Sequence, residues 1–222
     1  MPSVIIGVDE SGMGCIAGPL VVSAAAFAID TPIVETEYRG VRGVTKLRAG
    51  DSKKVKKPEH LAKLAGAIRE QALAHATIMT PAAEIDRITL GEALAQSLRT
   101  AIARVMEKLA PRFPANEFEV YIDGELKVSL GSVPCQVHMV PEGDNRMWQI
   151  GAASILARLG CEETMRAIAG RYPEWGFEKN MGYPTAAHRK MLAEKGPTPE
   201  HRRATKSVQT VLPVKKGVLE GM

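Results

Sequence analysis

The sequence predicts an α/β fold, a mixed central sheet flanked by helices, and three observations carry that expectation. Short runs rich in Val, Ile and small apolar residues alternate with longer segments whose apolar spacing is helical. At 222 residues, 45% of them hydrophobic, the chain can bury one substantial core. Aromatic residues are only 5%, so Ala, Val, Leu, Ile and the ten methionines must fill that core, which suits helices on a sheet better than a β-sandwich.

Element by element, Ser3 to Asp9 and Pro19 to Ile29 read as adjacent strands, joined by a glycine-rich connection and expected to be antiparallel. A third strand is expected within Ile33 to Val44. Leu61, Leu64, Ala65, Ile68 and Ala72 recur at helical spacing, which predicts a helix over Pro58 to Ala76 with Pro58 in its first turn. Ala76 to Met79 reads as a short strand. Thr89 to Leu109 repeats the helical pattern through Leu94, Leu98, Ile102 and Val105, until Pro111 and Pro114 interrupt it. Glu117 to Asp123 alternates as a strand does, and Gly124 ends it. Cys135 to Val140 is a further strand, and Arg146 to Ile168 a long Ala-rich helix. That order of elements implies a mixed sheet with helices packed on it. The loop Arg171 to Tyr183 holds Tyr172, Trp175, Phe177 and Tyr183, rings that either pin the loop to the surface or face a sugar or base. Pro184 opens a short helix to Lys195, followed by a basic C-terminal segment.

Net charge is a modest +4, from 29 Lys and Arg against 25 Asp and Glu. It is unevenly placed, with one cluster running from Lys46 to Lys63 and another from Arg189 to Lys206. Two basic clusters around a less basic middle fit a polyanion across one face, although a solvated surface explains a charge run equally well. Cys15, Cys135 and Cys161 are odd in number and lack C-x-x-C spacing, which argues against a disulfide framework or structural zinc and for a reducing, cytoplasmic setting. No leader-like N-terminus or membrane-spanning apolar run is present, so no membrane partner is expected.

Chemistry concentrates on scarce aspartates. Of six, Asp9, Asp123 and Asp144 sit where strands or loops meet glycine. Asp9 and Asp123 each end a β-type run, so neighbouring strands would bring both to one sheet rim, and Asp144, just ahead of a long helix, could join them. Such carboxylates repel unless cations neutralise them, and an oxygen-only set without His or Cys favours hard ions such as Mg²⁺ or Mn²⁺. Two ions about 4 Å apart can clamp the attacking water and leaving oxygen of a phosphodiester. Glu10 fits only if the strand ends or bends there, because adjacent strand residues face opposite ways. Singly, each aspartate also reads as an ordinary cap or turn residue.

Six blocks together are specific. GVDESGMGCIAGPLVVSAA near the start, DSKK at Asp51 to Lys54 and YIDG at Tyr121 to Gly124 come in order. GDNRMWQIGAASILAR from Gly143 to Arg158, YPEWGFEKNMGYPTAAH from Tyr172 to His188 and GPTPEHRR from Gly196 to Arg203 follow. Over nearly its whole length the chain resembles the type 2 ribonucleases H, specifically the bacterial ribonuclease HII family. The resemblance implies a ribonuclease H-like fold, with a catalytic domain over residues 1–183 and a small helical substrate-binding extension over 184–222. It implies hydrolysis of RNA in RNA/DNA hybrids and incision 5′ to ribonucleotides embedded in duplex DNA, leaving 3′-hydroxyl and 5′-phosphate ends.

By that resemblance, Asp9, Glu10, Asp123 and Asp144 are the catalytic, metal-binding quartet, served by Mg²⁺ or Mn²⁺ in a two-metal mechanism. Gly12, Met13 and Gly14 would bring backbone against the ribonucleotide's 2′-hydroxyl, the group that marks RNA. Tyr183 would pack on the neighbouring nucleotide, and Lys53, Lys54, Arg202 and Arg203 would contact phosphates. His188 and His201 match family positions but read as structural or phosphate-side residues rather than general bases. A monomer is expected, and QTVL at Gln209 to Leu212 is only faintly similar to a sliding-clamp-binding peptide. The chain departs from the family in having Met13 where the Gly-Arg-Gly turn has arginine, Ser11 and Cys15 for the usual Ala and Pro, and Thr205 for an aromatic. Two alternatives stand beside this reading. One is a ribonuclease HIII-like nuclease without junction specificity, which the first strand's start near residue 3 disfavours; the other is a catalytically weak hybrid-binding protein.

Overall fold

A computed structural model describes residues 2–40, 43–125, 129–131 and 133–212. The chain begins with an antiparallel pair, β1 (Val4–Ser11) and β2 (Leu20–Ala28), in the register Val4↔Ala28 to Ser11↔Val21. The strand expected within Ile33 to Val44 is instead a separate hairpin, β3 (Glu35–Gly40) and β4 (Gly43–Arg48), a two-stranded sheet of its own. Its extended polar and charged residues leave little apolar surface to join the main sheet. Helix α1 (Pro58–Gln71) stops earlier than predicted, because Ala72 is extended and Ala74 already alternates inward as part of β5 (Ala74–Thr80).

A short helix that sequence periodicity misses, α2 (Ala82–Ile88), precedes α3 (Leu90–Leu109). Thr89, held at φ 80°, separates the two, and its hydroxyl accepts from Glu92 N–H at 3.3 Å to cap α3. Strands β6 (Phe118–Asp123) and β7 (Gln136–Val140) complete a five-stranded sheet in the order β5-β2-β1-β6-β7. The long helix expected over Arg146 to Ile168 is α5 (Trp148–Arg171), and a short helix outside that expectation, α4 (Gly143–Arg146), precedes it across extended Met147 at φ −128°. Beyond it lie α6 (Phe177–Asn180), α7 (Ala186–Lys195) and α8 (Lys206–Gln209). Among the described residues no helix is long and apolar enough to cross a membrane.

Alternation along β1 sets the layers. Val4, Ile6 and Val8 point to one face, where they bury against Leu98, Ile102 and Val105 of α3. On the other face, Ala25 and Phe27 of β2 pack with Leu61, Leu64 and Ile68 of α1 and with Ala152, Ile155 and Leu156 of α5. Helix α5 is buried on nearly all sides, so it shows no single apolar stripe. Its second half meets Ile16, Ala17, Trp175, Phe177, Leu192 and Val208 in a third cluster, which ties residues 184–212 to the rest.

Gly7 is the closest approach of α5 to the sheet. A Cβ there would lie 2.1 Å from Gln149 O, a backbone atom that cannot step aside. Gly7→Ala is therefore expected to cost about 3 kcal/mol by forcing α5 off β1, read as a lowered urea midpoint. A variant as stable as the parent would show that the helix can shift freely.

Candidate active site

Parallel pairing between β1 and β6 runs from Val4↔Phe118 to Val8↔Ile122. The next residues on the two strands are Asp9 and Asp123, at the same height and, by the alternation of each strand, on the face opposite Val8 and Ile122. Two strands in register, β6 at its end and β1 two residues before its own, thus present two carboxylates on the α5 side of the sheet. Asp123 Oδ1 accepts from Gly143 N–H at 2.6 Å and Asp144 N–H at 3.4 Å, so the start of α4 is hung on this carboxylate. That bond brings Asp144, 5% exposed, to the same rim.

For Glu10 the sequence asks that the strand end or bend. Instead β1 continues through Ser11 by pairing with β2, yet Glu10 still lies close enough to Asp123 and Asp144 for both to raise its pKa. Its Oε2 is buried and has no hydrogen-bond partner. Burial first, and then the Glu10 charge, pushes Asp9 up to about 8. Glu10 is pushed up to about 7, again mainly by burial and then by Asp123, and Asp144 is raised by burial and Asp123. These are carboxylates in want of a cation. The nearby cation that the protein supplies is Lys53, whose Nζ stands 3.8 Å from Asp144 Oδ2. At 83% side-chain exposure it opposes the rise of Asp144 without cancelling it.

The segment Asp51 to Lys54 is built onto this rim by α5. Asp51 caps its 3-10 turn by accepting from Lys53 N–H at 2.9 Å. Ser52 and Ser154 hydroxyls meet at 2.9 Å, and Arg158 donates to the carbonyls of Ser52 and Val55. Ser154 also stands beside Asp9 and opposes the rise of its pKa. Lys54 Nζ reaches Asn145 Oδ1 at 2.6 Å. Sequence reading passed over Ser154, Arg158 and Asn145 as individuals. The i, i+4 spacing of Ser154 and Arg158 on one helix face was the available signal.

On the other side stands the turn Gly12 to Cys15, closed by Cys15 N–H to Gly12 O at 3.2 Å. Gly12 has φ 92°, a conformation that side chains resist. Met13 is 37% and Tyr183 49% exposed. A Cβ on Gly14 would lie 3.5 Å from Tyr183 Cε1, so the turn and the ring are neighbours. Between them and the DSKK segment opens a cleft of about 380 Å³ lined by Ser11, Ser52, Lys53, Arg158, Asn180 and Tyr183. Trp175 and Phe177 are buried and pin their loop, which leaves Tyr183 as its most exposed ring.

Arg202 departs from expectation. It is completely buried, and its guanidinium donates to Gly18 O at 3.0 Å, Gly12 O at 2.7 Å and Pro19 O at 2.7 Å. A side chain spent on three backbone carbonyls cannot also contact a phosphate, so its role is to hold the Gly12 turn. Arg203 is exposed, and Asp86 of α2 accepts from its peptide N–H at 2.7 Å. His188 and His201 are buried and lie 3.0 Å apart through their Nε2 atoms.

Comparison with known proteins places this arrangement. The family model for ribonuclease HII matches residues 6–209. The chain is 34% identical to the ribonuclease HII of Dechloromonas aromatica over 210 residues, covering 92% of this chain and 94% of that one. It is 35% identical to that of Thiobacillus denitrificans over 211 residues, 95% of this chain and 91% of the other. In fold it is similar to the ribonuclease H2 of Pyrococcus horikoshii, with TM-score 0.68 at 18% identity over 94% of this chain and 96% of that one. It is also similar to a Bst ribonuclease HIII solved in complex with Mn²⁺, with TM-score 0.66 at 20% identity over 95% of this chain and 70% of the other. The chain belongs to the ribonuclease HII family and is a type 2 ribonuclease H, an endoribonuclease of RNA/DNA hybrids.

Proposed function

We propose that the enzyme incises 5′ to ribonucleotides embedded in duplex DNA as well as within longer RNA/DNA hybrids, leaving 3′-hydroxyl and 5′-phosphate ends. The observation that carries this reading is the in-register pair Asp9 and Asp123, joined at one rim by Glu10 and Asp144. Among the described residues no three His, Cys, Asp or Glu side chains close into a finished metal cage. The donor set nevertheless fits hard divalent ions: it is all oxygen, it is largely buried, and Glu10 Oε2 has no partner of its own. Asp9, Glu10, Asp123 and Asp144 would hold Mg²⁺ or Mn²⁺, which when bound would polarise the scissile phosphate and lower the pKa of an attacking water.

The protein's own groups do the rest. Backbone of Gly12, Met13 and Gly14 approaches the 2′-hydroxyl, Tyr183 packs on the adjoining nucleotide, and Lys53 and Lys54 position phosphates without reading sequence. Arg203, unlike Arg202, is exposed and is suited to a phosphate contact. A clamp partner draws support from a fold neighbour, the ribonuclease HII of Archaeoglobus fulgidus solved with PCNA, at TM-score 0.60 and 18% identity. Residues 213–222 of the tail lie outside those described.

The test is cleavage of matched duplexes carrying one, four or all ribonucleotides in one strand, with Mg²⁺ or Mn²⁺, mapping the cut sites. Cutting of the uniform hybrid alone would sink the junction reading. Binding of these duplexes without metal-dependent cutting by the parent enzyme would point to a hybrid-binding protein. At the turn, Met13→Arg adds a charge beside the substrate, and one charged hydrogen bond to phosphate contributes about 1.5–3 kcal/mol. Affinity for a one-ribonucleotide duplex is expected to rise about tenfold or more, measured by fluorescence anisotropy; no change would exclude a phosphate within reach of residue 13.

A further inference from the structure

We infer that His188 is a positioning residue for substrate recognition: with His201 it fastens the Tyr183 segment to Thr198–Arg202, the stretch whose arginine holds the Gly12 turn. The inference rests on the proposed contacts of Tyr183 and the turn with the nucleic acid.

The hydrogen-bond chain has fixed ends, which determines every proton within it. Thr198 N–H, which can only donate, faces His201 Nδ1 at 3.0 Å. His201 Nδ1 is therefore an acceptor, and the neutral ring carries its proton on Nε2. That proton points at His188 Nε2, 3.0 Å away, which must accept. His188 then carries its proton on Nδ1 and donates to Tyr183 O, which can only accept, at 2.8 Å. Both rings are 1% exposed and enclosed by Trp175 and Phe177, and they are satisfied by each other, by these backbone groups and by the Thr198 hydroxyl, 2.9 Å from His201 Nδ1. Burial holds both below the ordinary histidine range, His201 to about 4.

The same stretch grips the turn. Arg202 N–H donates to Ile16 O at 2.8 Å, its guanidinium to Gly12 O, and His201 bridges Ala17. Gly182 O in turn accepts from Ile16 N–H at 2.9 Å, and the Cys15 thiol donates to Met181 O at 3.3 Å. Two elements proposed to read a ribonucleotide, far apart in sequence, are thus held at a set separation by direct contacts at Gly182 and Met181 and by the buried pair His201 and Arg202. His188 is the link from that pair to Tyr183 itself. Loosening it should leave the carboxylates alone and blur the choice between a single ribonucleotide and a continuous hybrid.

The experiment uses the full chain and two conservative variants. His188→Asn keeps an amide near the Nδ1 position and can still donate to Tyr183 O, whereas His188→Gln places its amide near Nε2 and keeps only the His201 contact. Cleavage efficiency, as kcat/KM, is compared between one-ribonucleotide and all-ribonucleotide duplexes. The ratio is expected to fall about tenfold in His188→Gln and to stay within about twofold in His188→Asn. In a Tyr183→Ala background, His188→Gln should change it no further. If Tyr183→Ala leaves the ratio untouched, the substrate contact of Tyr183 fails and the inference with it. If Tyr183→Ala lowers the ratio and His188→Gln does not, the inference alone is overturned. Should His188→Gln not fold, long-range ¹H–¹⁵N spectra of the parent protein at pH 7 decide: neutral His188 protonated on Nδ1 and His201 on Nε2 support it, and any other tautomer or a charged ring overturns it.

Discussion

Asp9→Asn should abolish cleavage while making the metal-free protein more stable at pH 8. Losing one carboxylate from the proposed metal-binding rim would remove several kcal/mol of transition-state stabilisation, at least about a 10³-fold drop in kcat. The stability gain follows from linkage. Asp9 ionises near 3.8 when unfolded and about 8 when folded, so between those values the folded state holds the extra proton. Its contribution is intact below about pH 4 and is lost progressively as pH rises to about 8. Asparagine has no such loss. In chelator, the two proteins should melt together near pH 4 and diverge upward to pH 8, where the variant is ahead by on the order of a few kcal/mol. Adding Mg²⁺ or Mn²⁺ should raise the melting temperature of the parent more than that of the variant. Melting curves that stay parallel from pH 4 to 9 would show that Asp9 is not buried against other charges.

Arg202→Ala carries the second large effect, on stability rather than chemistry. Removing a buried guanidinium takes its donors from Gly18 O and Pro19 O and leaves Gly12 O with the Cys15 N–H alone, and each stranded carbonyl costs about 1–3 kcal/mol. A loss of about 3–5 kcal/mol is expected in urea unfolding. Arg202→Lys should recover only part, because one ammonium cannot copy the planar fork that serves three carbonyls. A cost below about 1 kcal/mol for the alanine variant would mean that water replaces the guanidinium.

The sheet was legible because its first strands are short runs of small apolar residues bounded by glycine, and a period of two survives in β6. Asp9, Asp123 and Asp144 were legible for a related reason: strand ends and helix starts are where a chain can present carboxylates at one rim. What failed were places where tertiary packing overrides local pattern. The β3–β4 hairpin is polar enough to hide its strands, and the short helices α2 and α4 lack the length for a periodic apolar stripe. Arg202 misled because a basic residue in a basic segment reads as surface. Only its burial against three carbonyls from a segment at the other end of the chain reveals a tether.

The parallel register of β1 and β6 also bears on how this enzyme can vary. Because the Val8↔Ile122 pairing sets Asp9 and Asp123 level and on one face, surface loops between them can change length without altering that register. Insertions in the β3–β4 hairpin should thus be tolerated by the carboxylate rim, whereas deleting a single residue inside β6 would turn Asp123 toward α3 and away from Asp9. Tolerance to change is set by hydrogen-bond ladder position and not by distance from the carboxylates.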